Sequence, residues 1–568
     1  MGKKIGVYVC ECGTNIAEKV DIDKVIAAVS PLKHVEVAER HKLLCSEGGK
    51  EFLKQSIEEH GLTHVVVAAC SPKQHEVTFM NVCEQAGLNP QLFQLANIRE
   101  QCAWVTPNGE EATDKAIRQT RAAASRVTYH NPLERKEVEC SPHVLVIGGG
   151  IAGVRASQLL AAPDRKVYLV EKTSSLGGKV RSFSKLFTKM ESGLRLMEHE
   201  IKNLLENENI EVFTESEVEQ ILGFLGNFEV KVVKKAEDKE LDFNVGAVVL
   251  ATGFELFDSR GLPQYGYGKL DDVYTSLEFE EMNIPDGPTG GKILLKGGRP
   301  PESVAIIHCV GREEKDFCSK VCCMYSLKFD RMLRAQIPTV KVSHFYSDLC
   351  VPGKSYQEFY EDTKKMGVEF IRSAKTEVTS NGKGTTIKYE TEAGSKGDWA
   401  ADMVILLPAM ENSGDAQKFA EMLNIPLDGK KFFVEEHQLL SPVASAVEGI
   451  FVIGCARGPQ SISESIVQSE AAAGKILSTL VPGRKLALEV RTSEISETFC
   501  TGCKTCIDVC PYGAITFDET RKISVVNEVL CHGCGNCATA CPSGAAKLKH
   551  FTFPQIYQEL KGVLQQAE

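Results

Sequence analysis

The sequence lacks a long apolar run. In its 568 residues, no apolar stretch approaches the roughly 18 residues that a membrane-crossing helix needs. The opening stretch, MGKKIGVYVC, passes directly into a short strand pattern, without the apolar core and small-residue cleavage site of a signal peptide. Gly6 also stands where a myristoylation pattern requires Ser or Thr. We therefore expect a cytoplasmic protein that does not span a membrane.

The chain also lacks an excess of positive charge. Its formal net charge is −11, which argues against nucleic acid or an anionic membrane surface as a partner. Hydrophobic residues make up 43% and charged residues 25%, as in ordinary globular proteins, and no segment is of low complexity. A chain of 568 residues exceeds what one hydrophobic core supports, so we expect several domains.

Cysteine, in contrast, is abundant. The chain has 21 cysteines, many of them closely spaced, and its opening stretch predicts no export signal. In a reducing compartment such spacing indicates metal ligation more often than disulfide bonding.

The order of strand and helix patterns divides the chain into six segments, of which the third is inserted into the domain begun by the second. The predicted segments are an N-terminal α/β domain (1–138), the first part of a Rossmann domain (139–290), an inserted domain (291–400), the second part of the Rossmann domain (401–485), a cysteine-rich repeat (490–550) and a terminal helix (551–568).

The cysteine-rich repeat contains two runs with the same spacing, C-x2-C-x2-C-x3-C-P, at residues 500–511 and 531–542. In bacterial two-cluster ferredoxins the fourth cysteine of each run binds the other run's cluster. The predicted [4Fe–4S] ligands are Cys500, Cys503, Cys506 and Cys541 for one cluster, and Cys510, Cys531, Cys534 and Cys537 for the other. Zinc knuckles also use the x2 spacing. Two complete copies with terminal Cys-Pro favour iron–sulfur clusters and therefore an electron-transfer module.

The segment HVLVIGGGIAGVRASQLL has the strand, glycine turn and helix of a dinucleotide-binding fingerprint. Gly148 would form the tight turn, Gly150 would let the backbone approach a pyrophosphate, and Gly153 would let the helix pack on the strand. The next strand pattern, KVYLVEK, brings Glu171 to the position expected of a ribose partner. These features together predict a bound dinucleotide.

Three further segments, SSLGGKVR, VVLATGFE and GIFVIGCARGP, resemble parts of the two-dinucleotide-domain flavoproteins typified by thioredoxin reductase. Taken singly each glycine could belong to an ordinary turn, but their order along the chain favours FAD. The resemblance implies an α/β flavoprotein core, and the FAD contacts that it adds are Lys172, Gly177, Gly178, Thr252, Gly253 and Gly454.

The inserted domain lacks the second glycine fingerprint, which holds NAD(P)H in such flavoproteins. Its sequence is SVAIIHCVGREEKDFCSKVCCM, with Cys309 where a phosphate-binding glycine is expected and only Gly311 retained. We expect the nicotinamide site to be lost or impaired. The four thiols of this segment, Cys309, Cys318, Cys322 and Cys323, indicate a metal site, with buried structural cysteines as the alternative.

The stretch CVGREEKDFCSKVCCMYSLK closely resembles a signature of the heterodisulfide reductase family, specifically of its A subunits. The segments CECGTNIAEKVD, AACSPKQHEVTF, GLNP and ANIREQCAWV resemble the first domain of the same family, so the resemblance spans nearly the whole chain. This chain has no second inserted ferredoxin in the region that follows Leu176, and it is therefore similar to a shorter form of the family.

This resemblance implies that Cys309, Cys318, Cys322 and Cys323 bind a [4Fe–4S] cluster close to the flavin, with Lys328 near the reactive face of its ring. Without this resemblance, a single lysine such as Lys328 would be interpreted as an ordinary surface side chain. In the first domain Cys10 and Cys70 both end strand patterns and could meet at one sheet edge, and we expect a fourth cluster there. Its predicted ligands are Cys10, Cys12, Cys45 and Cys70. The remaining thiols, Cys83, Cys102, Cys140, Cys350 and Cys455, are assigned as small buried apolar residues.

With one FAD and four [4Fe–4S] clusters, the resemblance implies flavin-based electron bifurcation within a larger complex. The implied partners are subunits similar to B and C of heterodisulfide reductase, a donor of the hydrogenase or formate dehydrogenase type, ferredoxin, and a second copy of this chain. One alternative is a non-bifurcating relay in a quinone-linked or other respiratory complex. Another is a self-contained NAD(P)H-dependent flavoenzyme.

Overall fold

The computed structural model describes residues 2–234, 239–380 and 384–564. The chain forms two compact units, one made of Met1–Val138 with Ala487–Glu568, the other of Glu139–Leu486. The N-terminal domain and the cysteine-rich repeat, which are distant in sequence, thus belong to one unit. Within the described ranges, no helix combines the length and the apolar character needed to cross a membrane.

The N-terminal domain is built on a parallel four-stranded sheet of order β2-β1-β3-β4. All residues of β1 and β3 are buried, as their continuous apolar sequences predict. The elements are β1 (Ile5–Cys10), α1 (Thr14–Ala17), α2 (Ile22–Val29), β2 (Val35–His41), α3 (Glu47–His60), β3 (His64–Ala69), α4 (Pro72–Gln85), β4 (Phe93–Asn97), a π-helix (Arg99–Ala103), α5 (Gly109–Val127) and β5 (Glu137–Val138).

Among its described residues, the second unit contains two large sheets, of five and seven strands, and two smaller ones, of three and two strands. Its elements are β6 (Val144–Ile147), α6 (Ile151–Leu160), β7 (Val167–Val170), α7 (Gly193–Leu205), β8 (Ile210–Phe213), β9 (Ser216–Phe224), β10 (Asn227–Lys234), β11 (Lys239–Val245), β12 (Ala247–Leu250), β13 (Phe254–Leu256), β14 (Val273–Thr275), α8 (Ser276–Met282), β15 (Ser303–Val310), α9 (Arg312–Lys315), α10 (Cys322–Gln336), β16 (Lys341–Tyr346), α11 (Tyr356–Lys365), β17 (Glu369–Ser380), β18 (Thr385–Thr391), β19 (Lys396–Ala401), β20 (Met403–Pro408), β21 (Met410–Asn412), α12 (Ala416–Leu423), β22 (Ile450–Val452) and α13 (Ile462–Thr479).

The first sheet of this unit is parallel, in the order β22-β12-β6-β7-β8. Its central strand β6 leads through the glycine turn into α6, as the fingerprint predicts. A three-stranded antiparallel sheet, β11-β10-β9, lies between β8 and β12 in sequence. A parallel sheet buried on both faces requires apolar strands, which explains the runs VLVI and AVVL.

The second sheet has seven strands in the order β14-β20-β15-β16-β17-β18-β19. It extends beyond the inserted segment expected at 291–400, because β14 and β20 also belong to it. The strand β20 pairs in parallel with both β14 and β15, so its apolar sequence fills the interior of this sheet. A run such as MVILLP suits either of two buried parallel sheets, and sequence alone did not distinguish them.

The cysteine-rich repeat forms two small antiparallel pairs, β24–β27 and β25–β26, followed by a helix that packs on α5. The elements from the end of the second unit onward are β23 (Leu486–Ala487), β24 (Ser493–Ile495), α14 (Thr505–Asp508), β25 (Ile515–Asp518), β26 (Ile523–Val526), α15 (Asn536–Ala540), β27 (Ala546–Leu548) and α16 (Phe553–Leu564). The terminal helix was expected over 551–568, and its last four residues lie outside the described range.

Candidate flavin and iron–sulfur sites

The glycine turn after β6 is closely packed on one side and open on the other. Gly148 has φ 109°, and a Cβ there would lie 2.3 Å from the carbonyl oxygen of Ala251. A Cβ on Gly153 would lie 1.9 Å from the oxygen of Gly148, so a side chain would push α6 away from the turn. At Gly150, in contrast, a Cβ would meet no heavy atom within 4 Å. The open space lies beside the N-terminus of α6, where unpaired N–H groups favour a phosphate.

A cavity of about 720 Å³ opens from this turn. Its lining includes nine of the residues expected to contact FAD: Gly148, Gly150, Glu171, Lys172, Gly177, Gly178, Thr252, Gly253 and Gly454. The hydroxyl of Thr252 is buried without a hydrogen-bond partner. Because buried polar groups are normally paired, this orphaned hydroxyl and the open glycine cradle fit a polar ligand such as FAD.

Glu171, the expected ribose partner, is held firmly at the end of β7. One carboxylate oxygen accepts the N–H of Gly149 at 2.7 Å. The other accepts the N–H and the hydroxyl of Thr173 at 2.8 and 2.7 Å. The neighbouring Lys172 is half exposed and pairs with Asp415 at 2.6 Å. Both side chains line the same cavity.

Lys328 lines this cavity from α10 and is 1% exposed, so it is not a surface lysine. It forms an ion pair with Glu280 of α8, which is fully buried, and it donates to the carbonyl oxygen of Lys185 at 2.6 Å. Burial lowers the pKa of Lys328 while Glu280 opposes this shift, and burial raises the pKa of Glu280. The ammonium also lies 4.1 Å from the ring centre of Tyr325. The positive charge that the sequence predicts at Lys328 is thus balanced by the negative charge of Glu280.

Sequence reasoning missed Glu280. It lies 48 positions before Lys328 in a helix with no chemical motif. The only local signal at α8 is its capping box, formed by Thr275 and Glu278, which concerns the helix and not the site. Only the packing of α8 against the second sheet brings the two charges together.

The cysteines of the inserted segment lie together around the start of α10. Cys322 and Cys323 are its first two residues, and Cys322 also lines the FAD cavity. The neighbouring thiols Cys323, Cys309 and Cys318 all raise the pKa of Cys322, so the four thiols lie close enough to interact as one group. Cys309 has φ 59° at the end of β15, where a nicotinamide-binding domain would have a glycine turn. The helix that directly follows β15 is only four residues long, Arg312–Lys315.

Two of the thiols that the sequence analysis did not assign to a cluster lie near these sites. Cys350 interacts electrostatically with Cys318 and Cys323, and its backbone N–H is directed at the Cys323 sulfur. Cys455 lines the FAD cavity, where burial raises its pKa to about 11. Neither has a neighbouring cysteine within four positions in the sequence, so no spacing signal marked them.

The four N-terminal cysteines also come together. The strands β1 and β3 pair in parallel, so Cys10 at the end of one and Cys70 after the other lie at the same sheet edge. Cys12 and Cys45 pack against the same core cluster, and both of them raise the pKa of Cys10 and of Cys70. Arg99 donates a hydrogen bond to the Cys12 sulfur at 3.2 Å. The unassigned Cys102 packs in the core on the other face of the sheet and donates to the carbonyl of Ala112.

In the cysteine-rich repeat, a small cavity of about 10 Å³ is lined by the four expected ligands of one cluster, Cys500, Cys503, Cys506 and Cys541. The backbone N–H groups of Ala514 and Ala546 donate to the sulfurs of Cys510 and Cys541, the fourth cysteine of each run. The Ser493 hydroxyl lies 3.1 Å from the Cys537 sulfur.

No group of three or more His, Cys, Asp or Glu side chains among the described residues is arranged to hold a single metal ion. A cubane cluster makes a different demand, because each thiolate binds a separate iron atom and the sulfurs stand further apart than around one ion. The thiol groups described above fit that demand in number and residue type.

Known families match both the second unit and the cysteine-rich repeat. The pyridine nucleotide-disulphide oxidoreductase family matches residues 142–469, and a 4Fe-4S dicluster domain matches residues 499–545. A relative from Methanopyrus kandleri, one of its iron–sulfur A subunits of CoB–CoM heterodisulfide reductase, is 35% identical over 98% of this chain and 98% of its own. This chain belongs to the family of heterodisulfide reductase A subunits. It is an oxidoreductase, and the predicted α/β fold with a flavoprotein core and a two-cluster ferredoxin module is confirmed.

Another member of the family comes from Methanothermobacter marburgensis, where it is the A subunit of H(2):CoB-CoM heterodisulfide,ferredoxin reductase. It is 33% identical over 91% of each chain. Among solved structures, the thioredoxin reductase of T. acidophilum covers 59% of this chain and 97% of its own, with 16% identity and a TM-score of 0.41.

Proposed function

We propose that this chain is the flavin and iron–sulfur electron-transfer subunit of a heterodisulfide reductase-like complex, and that it splits electron pairs at FAD. One observation carries the proposal: a single cavity is lined by the FAD glycines, by Lys328 and by Cys322. A flavin bound there would lie beside Cys322, one of the four cysteines of the proposed inserted cluster. Electrons could then leave the flavin one at a time.

The residues that would hold FAD are those of the glycine cradle and its surroundings. Gly148, Gly150 and Gly153 shape the pyrophosphate site, and Glu171 and Lys172 lie at the ribose end. Gly177, Gly178, Thr252, Gly253 and Gly454 line the rest of the cavity. When bound, FAD supplies the exchange between two-electron and one-electron chemistry, while iron–sulfur clusters pass single electrons.

We propose four [4Fe–4S] clusters, each held by four of the cysteines already described. The ligand sets are Cys10, Cys12, Cys45 and Cys70; Cys309, Cys318, Cys322 and Cys323; Cys500, Cys503, Cys506 and Cys541; and Cys510, Cys531, Cys534 and Cys537. A cytoplasmic location goes with this proposal, since thiols stay reduced there.

Lys328 and Glu280 would act as one unit at the flavin. The lysine is directed into the cavity, whereas the carboxylate behind it accepts the N–H of Ser184 at 3.0 Å and is not part of the lining. The pair holds a proton between two buried groups and keeps water away from it. It would therefore orient a positive hydrogen-bond donor toward the flavin without adding net charge to the site.

The overall electron balance is simple. Two electrons arrive from a hydrogenase- or formate dehydrogenase-type donor; one passes to a higher-potential acceptor on subunits similar to B and C of the reductase, and one to a low-potential ferredoxin-type acceptor. A second copy of this chain would complete the core of the complex. The disulfide itself would be reduced on the partner subunits.

The test uses the full chain, purified without oxygen. We expect about sixteen iron atoms per FAD. We also expect the reduction potential for adding the first electron to the oxidised flavin to be lower than the potential for adding the second. A count near eight would remove the N-terminal and inserted clusters from the proposal. The ordinary order of the two potentials would indicate a simple relay, and reduction by NADH or NADPH alone would indicate a self-contained flavoenzyme.

A further inference from the structure

Three buried polar side chains lie behind the inserted cysteine group and have no part in the proposed function so far. His308 is on β15, His344 on the neighbouring strand β16, and Asp330 on α10. Their exposed fractions are 4%, 0% and 0%. The two strands pair in parallel, with Ile306 opposite His344, so His308 lies further toward the carboxyl end of the sheet, next to Cys309.

These side chains form a continuous hydrogen-bonded row. His308 Nε2 lies 2.8 Å from His344 Nδ1, and His344 Nε2 lies 2.9 Å from a carboxylate oxygen of Asp330. The Ser326 hydroxyl donates to the carbonyl oxygen of Cys323 and lies 3.4 Å from His308 Nε2. Three ring nitrogens of the row therefore already have partners, and the row ends on the fully buried carboxylate of Asp330, whose second oxygen has no hydrogen-bond partner.

The other end of the row is incomplete. The remaining ring nitrogen, His308 Nδ1, is buried without a hydrogen-bond partner. Cys323, one of the proposed cluster ligands, lies next to His308: the Ser326 hydroxyl contacts both the Cys323 carbonyl oxygen and the His308 ring, and the Cys323 sulfur interacts with that ring. A buried nitrogen without a partner is unfavourable, and a hydrogen bond to the Cys323 sulfur would pair Nδ1.

The direction of that bond follows from the hydrogens available. A sulfur bound to iron carries no hydrogen, so it can only accept, and Nδ1 must donate. His308 Nε2 is then the acceptor and takes its hydrogen bond from His344 Nδ1. The remaining proton lies between His344 Nε2 and Asp330. The far carboxylate thereby fixes the ring orientation and the tautomer of the histidine at the sulfur, as outer groups commonly do at metal sites.

We propose that His308, held in place by His344 and Asp330, donates a hydrogen bond from Nδ1 to the Cys323 sulfur and thereby raises the reduction potential of the inserted cluster. The inference rests on the proposed function, because it requires a cluster at Cys323. A hydrogen bond to a ligand sulfur withdraws electron density from the cluster, so the added electron is stabilised. His308 is a positioning residue that acts through Cys323.

The consequence concerns the route of the electrons. The inserted cluster lies beside the FAD cavity, which Cys322 lines. A higher potential at this cluster would draw the first electron away from the flavin, and the three-residue row would set that potential without touching the flavin.

The test is a potentiometric titration of the full chain at one pH, followed by electron paramagnetic resonance. The signal of the inserted cluster is the one that disappears in Cys323→Ser.

In His308→Leu, we expect the ratio of reduced to oxidised inserted cluster to fall at least tenfold at a fixed potential. For a one-electron couple, a tenfold change corresponds to a shift of about 59 mV in the reduction potential. In His308→Asn, the amide nitrogen can replace Nδ1 as donor, and we expect the ratio to return to within threefold of the wild type. The signals of the ferredoxin-module clusters are the internal control and should not shift.

A measurement on the unaltered protein covers the case in which His308→Leu does not fold. With histidine labelled by ¹⁵N in the ring, pulsed resonance should show a ring nitrogen coupled to the reduced inserted cluster. An unchanged potential in His308→Leu, or no coupled ring nitrogen in the wild type, would overturn the inference. If instead no signal disappears in Cys323→Ser, the cluster assignment within the proposed function fails.

Discussion

At the scale of single residues, the ion pair between Lys328 and Glu280 decides what kind of charge the flavin site carries. Both groups are almost fully buried, so each is stable only with the other. Removing one partner leaves an uncompensated buried charge. The chemistry of the site thus depends on a residue that no sequence motif marks.

We predict that Lys328→Met and Glu280→Gln each reduce the local stability of α8 and α10 by about 3–5 kcal/mol, and that the double variant costs less than the sum. Amide hydrogen exchange in the two helices measures the effect. Lys231→Met is the control, because the Lys231–Glu240 pair is partly exposed and its loss should leave amide exchange in α8 and α10 unchanged. Additive losses in the double variant would contradict the pairing.

Gly150 offers a second test at this scale, because its φ of −75° and open surroundings suit alanine. We predict that Gly150→Ala folds normally but binds FAD at least tenfold more weakly, a loss of about 1.4 kcal/mol. The added methyl would occupy space that only the pyrophosphate needs. Flavin content and circular dichroism measure the two effects. Gly474→Ala, on an exposed face of α13, should keep its flavin, and normal flavin content in Gly150→Ala would argue against the assigned cradle.

At the scale of elements, the contact between α5 and α16 joins the N-terminal domain to the end of the ferredoxin module. Arg126 of α5 pairs with Glu559, donates to the carbonyl oxygen of His550 at 2.9 Å, and lies over the ring of Phe551. The ring of His130 stacks on that of His550 at 4.4 Å. These contacts are mostly buried, so they hold the terminal helix more firmly than surface pairs could.

We predict that Arg126→Ala weakens the docking of α16 by about 1.5–3 kcal/mol, the usual contribution of hydrogen bonds from a charged group. Limited proteolysis should then release the terminal helix much faster, while the iron content stays unchanged. The control is Arg118→Ala on the same helix, whose i,i+4 pair with Asp114 is exposed. Equal proteolysis rates in the two variants would show that Arg126 does not hold α16.

Elements also show how far the sequence predicts the structure. Spacing within a short stretch is a strong signal, so the ferredoxin cysteines, the glycine turn and the inserted thiols could all be assigned candidate roles from the sequence. The row from Asp330 to His308 could not be predicted in this way, because its members lie on three elements that meet only through the order of strands in the sheet. The same reason explains β20, whose apolar sequence does not say which of two buried parallel sheets it joins.

At the scale of the whole molecule, the chain forms two units, and the proposed cofactors are divided unequally between them. The proposed sites in Glu139–Leu486 are FAD and one cluster, and the other unit would hold three clusters. The two main core clusters around the first sheet draw all their residues from Glu139–Leu486. This unit therefore has the complete hydrophobic core that independent folding requires.

We predict that residues 139–486, produced alone, fold and bind one FAD with about four iron atoms. Flavin absorbance, iron analysis and a reductive titration measure this, with the Cys323→Ser form of the same unit as the control that should keep FAD and lose the iron. Electrons added by dithionite should reach both the flavin and the inserted cluster. They should not pass on to an external ferredoxin, since the other three proposed clusters are missing. A unit that folds and binds FAD but contains no iron would place the inserted cluster elsewhere, and a unit that does not fold would show that its stability depends on the rest of the chain.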